Sequence, residues 1–193
     1  DCQVHTDQMD LMEERGTLDL IEAIELLEPP EITALQKGKP GTGEPILWAV
    51  HVISPSGYSE KEFKKLIDKL LDFNIGIIWC PSAGISMRRI RPQNGPLHNA
   101  APRVLDFLLA GVWVVLGTDN NDDMMVPAGC GNPIIEIVMA ANIARFYVPH
   151  IWAKLGAGIK LNAIDRNVLE AAIRRDHEAF QMYDPSWQPA IAV

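Results

Sequence analysis

Apolar residues fall into two alternating rhythms along this chain. Short unbroken apolar runs, "PILWAVH" (Pro45 to His51), "IGIIWC" (Ile75 to Cys80) and "VWVVLGT" (Val112 to Thr118), are separated by stretches where apolar positions return every three or four residues. Runs of this length, rich in β-branched residues and bounded by Pro or Gly, predict strands buried on both faces of a sheet. The intervening stretches predict helices. Ser59 and Glu62 form a capping box ahead of apolar residues at 63, 66, 67, 70 and 71, which predicts a helix over Glu60 to Phe73. Ala101 to Ala110 reads as a helix closed by Gly111, and Asn132 with Pro133 caps and opens another that reaches about Phe146.

The two ends follow the same logic less regularly. "DCQVH" predicts the end of a further strand, and Leu18 to Leu27 a helix that Pro29 and Pro30 break. Residues 36 to 45 read as a surface loop, and "AIDRNVLEAAIRRDHEAF" as one long terminal helix. Strand and helix alternate at a steady pace, which is the pattern of βα units feeding a parallel sheet, with strand ends at His5, His51, Cys80 and Asp119. The segment from Ser82 to Pro96 is long for a βα connection, and such loops usually carry function.

Composition narrows the class. The chain has 193 residues, 48% hydrophobic and 22% charged, which suits one globular domain. A formal charge of −8 argues against nucleic acid or an anionic membrane as partner, since both need a positive face. The one basic cluster, "RRIRP" at Arg88 to Pro92, reads as a solvated loop rather than an anion clamp. No apolar run approaches the roughly 18 to 20 residues of a membrane span, and no basic segment followed by an apolar core opens the chain. Cys2, Cys80 and Cys130 are scattered without a CxxC spacing, as expected of reduced thiols in a cytoplasmic protein. The chain opens on Asp-Cys-Gln-Val-His, in what reads as a strand, so a fragment, a processed subunit or a chain whose first half lies elsewhere is expected.

Polar residues able to bind a cation gather just past the strand ends. His5, Gln8 and Asp10 follow the first, His51 the second, and Asp119 to Asp123 the last. In parallel α/β architectures that edge collects ligands and catalytic groups. Two imidazoles and a carboxylate from separate strands suit one divalent cation. Each feature also has a plainer reading: a histidine ending a buried strand is by default structural, and "TDNNDD" is by itself a polar loop with a cap. The conjunction on one edge favours the metal. His98 reads as a local residue beside the cap Asn99, His150 and His177 as surface or packing residues, Trp79 and Trp113 as core, and Met124 and Met125 as the floor of an apolar pocket.

Four blocks, "HTDQMD" at 5 to 10, "AVHVISPSG" at 49 to 57, "IIWCPSAGISM" at 77 to 87 and "HNAAPRVLDFLLAGVWVVLGTDN" at 98 to 120, together resemble the second half of the amidohydrolase superfamily. The resemblance is to its cytosine deaminase and chlorohydrolase-like branch. It implies a fold: the C-terminal half of a (β/α)8 TIM barrel, with strands 5 to 8 in residues 1–160, while the helical pattern of residues 161–193 reads as a C-terminal extension. It implies a site as well. His5 matches a metal-binding histidine, His51 a histidine that ligates metal or holds its water, and Asp119 the aspartate that binds metal and acts as general base. Gln8, Asn120, Ser82 and Met87 would then lie against the substrate. A divalent transition metal, zinc or iron, lowers the pKa of a bound water, and a carboxylate can take its proton before attack on a ring carbon.

The resemblance implies a metal-dependent hydrolase acting on C–N bonds of a cyclic or heteroaromatic small molecule. Two departures bear on that. Gln8 stands where the branch has a proton-shuttling glutamate, and an amide exchanges no proton at neutral pH. The first half of the barrel, with its HxH pair, is absent, and four strands cannot close an eight-stranded barrel. A chain carrying the N-terminal half, or self-assembly, is therefore expected as partner. The alternative is a catalytically inactive amidohydrolase-fold binding or assembly subunit, which Gln8 favours. A metal-free α/β binding domain stands third.

Overall fold

The computed structural model describes residues 4–7, 16–86, 101–119 and 129–191. Four parallel strands, β1 (Val4–Asp7), β2 (Leu47–Val50), β3 (Gly76–Trp79) and β4 (Val114–Leu116), make one sheet in the order β1-β2-β3-β4. The register pairs Thr6 with Ala49, Ala49 with Ile77, and Ile77 with Val114. Each strand lies beside its predecessor, so the described chain crosses the sheet in one direction without the reversal that marks a doubly wound fold. The parallel α/β class expected from the apolar pattern is the one observed.

Side chains alternate across the strands, and the alternation separates two cores. Leu47, Ala49, Ile77, Trp79 and Val114 enter the main core, whereas Val50, Ile78 and Cys80 join Ala83 in a smaller cluster. On the latter face the ring of Trp48 crosses Gly76, where a Cβ would come within 2.4 Å of it. Only glycine leaves room for that crossing.

The helices are α1 (Gly16–Glu25), α2 (Pro29–Lys37), α3 (Glu60–Asp72), α4 (Pro81–Ser86), α5 (Val104–Ala110), α6 (Pro133–Ile143), α7 (Pro149–Gly156) and α8 (Ala163–Tyr183). In α3 the Ser59 hydroxyl accepts from the Glu62 amide while the Glu62 carboxylate accepts from the Ser59 amide, so the capping box forms as expected. Its stripe of Phe63, Leu66, Ile67 and Leu70 is buried in the main core. Each such side chain contributes about 1.5–3 kcal/mol by leaving water. Phe63 meets Phe107 of α5 at 5.0 Å between ring centroids, and Arg103 stacks on its ring while clamping both oxygens of Glu60.

Several expected boundaries move. Pro29 and Pro30 do end the first helical stretch, but they also open α2, where a missing N–H costs nothing because first-turn amides have no partner. The segment expected as a loop from Ser82 begins inside α4. The helix expected to reach Phe146 ends at Ile143, with Arg145 in the left-handed region at φ 50°. Helix α7 was not foreseen, being short and opened by Pro149. Trp113, expected inside a strand and in the core, precedes β4 and is partly exposed; its Nε1 donates to the Gly158 carbonyl at 3.3 Å. No helix among the described residues is long and apolar enough to cross a membrane.

Candidate metal centre

The end of β2 is held by backbone rather than by side chains. The His51 amide donates to the Ile78 carbonyl at 2.8 Å, and the Val52 amide turns back to the Val50 carbonyl at 2.8 Å. The second bond closes a three-residue turn around His51, whose φ is 66°. This is the rarer, strained form of γ-turn, with positive φ at its centre. Val52 follows at φ 48°, an unfavourable region for a β-branched residue. Val52 has 0% exposure within the main core, so packing there holds the strain in place.

The end of β4 is tied in the same manner. The Gly117 amide donates to the Trp79 carbonyl at 2.9 Å, and two residues later Asp119 turns outward at φ 56°. Aspartate visits this region more readily than most residues. The two turns bring His51 Nε2 and Asp119 Oδ2 to 3.4 Å, with the imidazole 2% exposed and the carboxylate 28% exposed. The pair thus has a buried imidazole and a carboxylate that solvent or a substrate can reach.

Between them stands Cys80, which follows β3 and is buried. A donor nitrogen of His51, the Cys80 sulfur and a carboxylate oxygen of Asp119 lie within 4.8 Å of one another. Donors bound to a tetrahedral zinc at about 2.0–2.3 Å lie roughly 3.3–3.8 Å apart. The His51–Asp119 distance is already in that range, and the donor set of imidazole, thiolate and carboxylate is one zinc accepts.

The turn after Cys80 is anchored from a distance. Ser82 donates from its amide to Glu136 Oε2 at 2.9 Å and from its hydroxyl to Oε1 at 2.5 Å, and Glu136 on α6 is 4% exposed. The Ser82 hydroxyl, expected near the substrate, donates to that carboxylate.

Of the other expected site residues, His5 lies on β1, beside Trp48 in register, with its side chain outside the described residues. Gln8, Met87 and Asn120 lie outside them altogether, as do His98, Met124 and Met125. His150 is exposed; His177 is buried and packs edge-on to Trp187 at 5.2 Å, as expected of a packing residue. Sequence reasoning missed Cys80 as a candidate ligand and Glu136 altogether. For Cys80 a signal existed, since it ends an apolar run on the same edge as His51 and Asp119. Glu136 gave none. Two cavities of about 400 and 480 Å³ open elsewhere, lined by α5 and α8 residues such as Leu105 and Asp176, and neither includes the His51, Cys80 and Asp119 group.

Fold and site together define a parallel α/β chain with a nitrogen, sulfur and oxygen donor cluster at the C-terminal edge of its sheet. No family model, no curated protein and no solved structure matches the chain.

Proposed function

We propose that this chain carries the metal-holding edge of an amidohydrolase-type hydrolase that cleaves a C–N bond of a cyclic or heteroaromatic small molecule. The sheet would be strands 5 to 8 of a (β/α)8 barrel completed by further chain. The observation that carries the reading is the approach of His51 Nε2 to Asp119 Oδ2 at 3.4 Å, from two strand ends, with both backbones at positive φ. Strained residues cluster at functional sites more than elsewhere. The sequential strand order supports the barrel, since that is how a barrel winds.

A divalent transition metal, zinc or iron, would be held by His51 and Asp119, and would supply water activation and polarisation of the substrate. The chain's own residues would do the rest. Asp119, on the exposed side of the pair, takes a proton from the attacking water at a carboxylate oxygen and returns it to the departing nitrogen, so that water and the C–N bond become a carbonyl and an amine or ammonia. His51, buried, would hold the metal from the inner side of the site, opposite the more exposed Asp119.

The test is elemental analysis of the chain reconstituted with the rest of its barrel, together with ammonia release from a panel of heterocyclic amines. About one transition metal per site is expected, and Asp119→Asn should abolish ammonia release. A chain joined to the rest of its barrel that still retains no metal under any loading condition overturns the proposal. A second reading, a non-catalytic binding or assembly subunit, is favoured by Gln8, whose amide delivers no proton. Gain of ammonia release in Gln8→Glu excludes it.

A further inference from the structure

The reaction assigned above uses His51 and Asp119 and leaves Cys80 without a task. As a buried thiol ending an apolar strand, Cys80 has an ordinary explanation: a small hydrophobe filling the second core with Val50, Ile78 and Ala83. Three observations set it apart. Its sulfur lies within 4.8 Å of donor atoms of both His51 and Asp119. Backbone bonds from His51 to Ile78 and from Gly117 to Trp79 hold the ends of β2 and β4 on either side of it. Gly117 leaves the sulfur its space, since a Cβ there would approach Sγ to 3.0 Å and Ile78 Cγ2 to 2.9 Å. The turn that follows is then fixed by the paired bonds from Ser82 to Glu136.

We infer that Cys80 is a thiolate ligand of the metal held by His51 and Asp119, an inference that rests on the reading of this edge as a metal centre. Binding replaces the thiol proton: the S–H bond breaks, a sulfur–metal bond forms, and the proton passes to the buffer, so uptake acidifies the solution. A sulfur donor also selects the ion. Thiolate favours zinc and cobalt over magnesium, calcium or manganese, which imidazole and carboxylate alone discriminate less sharply. Three protein ligands leave a further position for water or substrate, as in catalytic rather than structural zinc sites.

Cobalt(II) titration of the chelator-stripped protein, with its barrel complete, tests this by spectrum rather than by activity. Cobalt uptake should give visible d–d bands together with an intense near-ultraviolet sulfur-to-cobalt charge-transfer band. Cys80→Ser should lose the charge-transfer band and weaken zinc binding at least about tenfold, the lower range seen when even outer partners of a metal site are removed. Cys130→Ser and Cys2→Ser should keep the band. Visible bands without charge transfer, or charge transfer that survives Cys80→Ser, overturn the thiolate assignment and leave the metal centre standing. Failure to take up cobalt overturns both. If Cys80→Ser does not fold, X-ray absorption of the zinc-loaded parent chain decides the matter: one sulfur neighbour at about 2.3 Å supports the inference and a shell of nitrogen and oxygen alone overturns it.

Discussion

His51 and Asp119 meet at 3.4 Å from backbones that both lie at positive φ, 66° and 56°. Residues held this way cost on the order of 1–3 kcal/mol each and persist only where the surroundings fix them. Here the surroundings are strand-end hydrogen bonds and the buried side chain of Val52. The backbone gives up stability and two side chains from different strands come together.

That exchange predicts opposite effects of Asp119→Gly on folding and on binding. Glycine adopts positive φ freely, and the carboxylate lost is partly exposed. Metal-free Asp119→Gly should be about 0.5–1 kcal/mol more stable than metal-free Asp119→Ala, or roughly 1–4 °C higher in Tm, while the zinc affinity of both falls. Thermal unfolding in chelator and zinc titration check the two halves. An Asp119→Gly chain that melts no later than Asp119→Ala sinks the strain argument.

Glu136 should matter more than its sequence context suggests. Its two oxygens accept from the amide and hydroxyl of Ser82, and it is buried. Glu136→Gln keeps the shape, but leaves one of the two donors facing an amide NH2. The expected cost is about 1–3 kcal/mol in urea unfolding. Because Ser82 follows Cys80 by two residues, cobalt charge transfer should also weaken. Unchanged unfolding would mean that the contact contributes nothing net.

What the sequence showed of this molecule divides along a physical line. Features set by neighbours in the chain were legible: the Ser59–Glu62 capping box, the stripe of α3, the left-handed Gly111 at φ 91° and the Asn132 cap with Pro133 behind it. The placing of His51 and Asp119 on one edge followed from the strand ends. Features set by the meeting of distant elements were not. Ser82 and Glu136 stand 54 positions apart, and nothing in either neighbourhood announces the other. Cys80 was read for redox compartment because no short ligand spacing flags it; its part in the cluster comes from the register of β2, β3 and β4. Pro29 and Pro30 misled in part, since a proline that stops one helix is equally suited to start the next.

Acid should loosen the start of α8. The Asp165 carboxylate accepts from Lys154 Nζ at 2.7 and 2.8 Å and from the Asn162 amide at 3.0 Å. The Lys154 bond, then the Asn162 amide, hold its pKa below the ordinary aspartate value. For an acid whose folded pKa is depressed, the stabilisation is complete above the unfolded value, about 3.9, and is lost as pH falls through the folded pKa. The stability gap between the parent and Asp165→Asn should therefore be constant from neutral pH to about pH 5 and close below about pH 4. Urea unfolding across that range checks it. A gap that widens in acid contradicts the assignment.

Gly117→Ala tests whether the space beside Cys80 is needed. A Cβ there would stand 2.9 Å from Ile78 Cγ2, closer than real contacts allow, and 3.0 Å from Cys80 Sγ, tight enough that the sulfur must give by a few tenths of an ångström. Overpacking of this kind costs about 1–3 kcal/mol. Gly57→Ala is the control, because a Cβ there meets nothing within 4 Å. The control should leave both Tm and cobalt binding unchanged. Gly117→Ala should lower Tm by several degrees and, by pushing the sulfur off its line to His51 and Asp119, reduce the charge-transfer band more than the visible bands. Were Tm to fall with the spectrum intact, Gly117 would be serving the packing of Ile78 alone, and the sulfur would owe its position to the Ser82–Glu136 anchor instead.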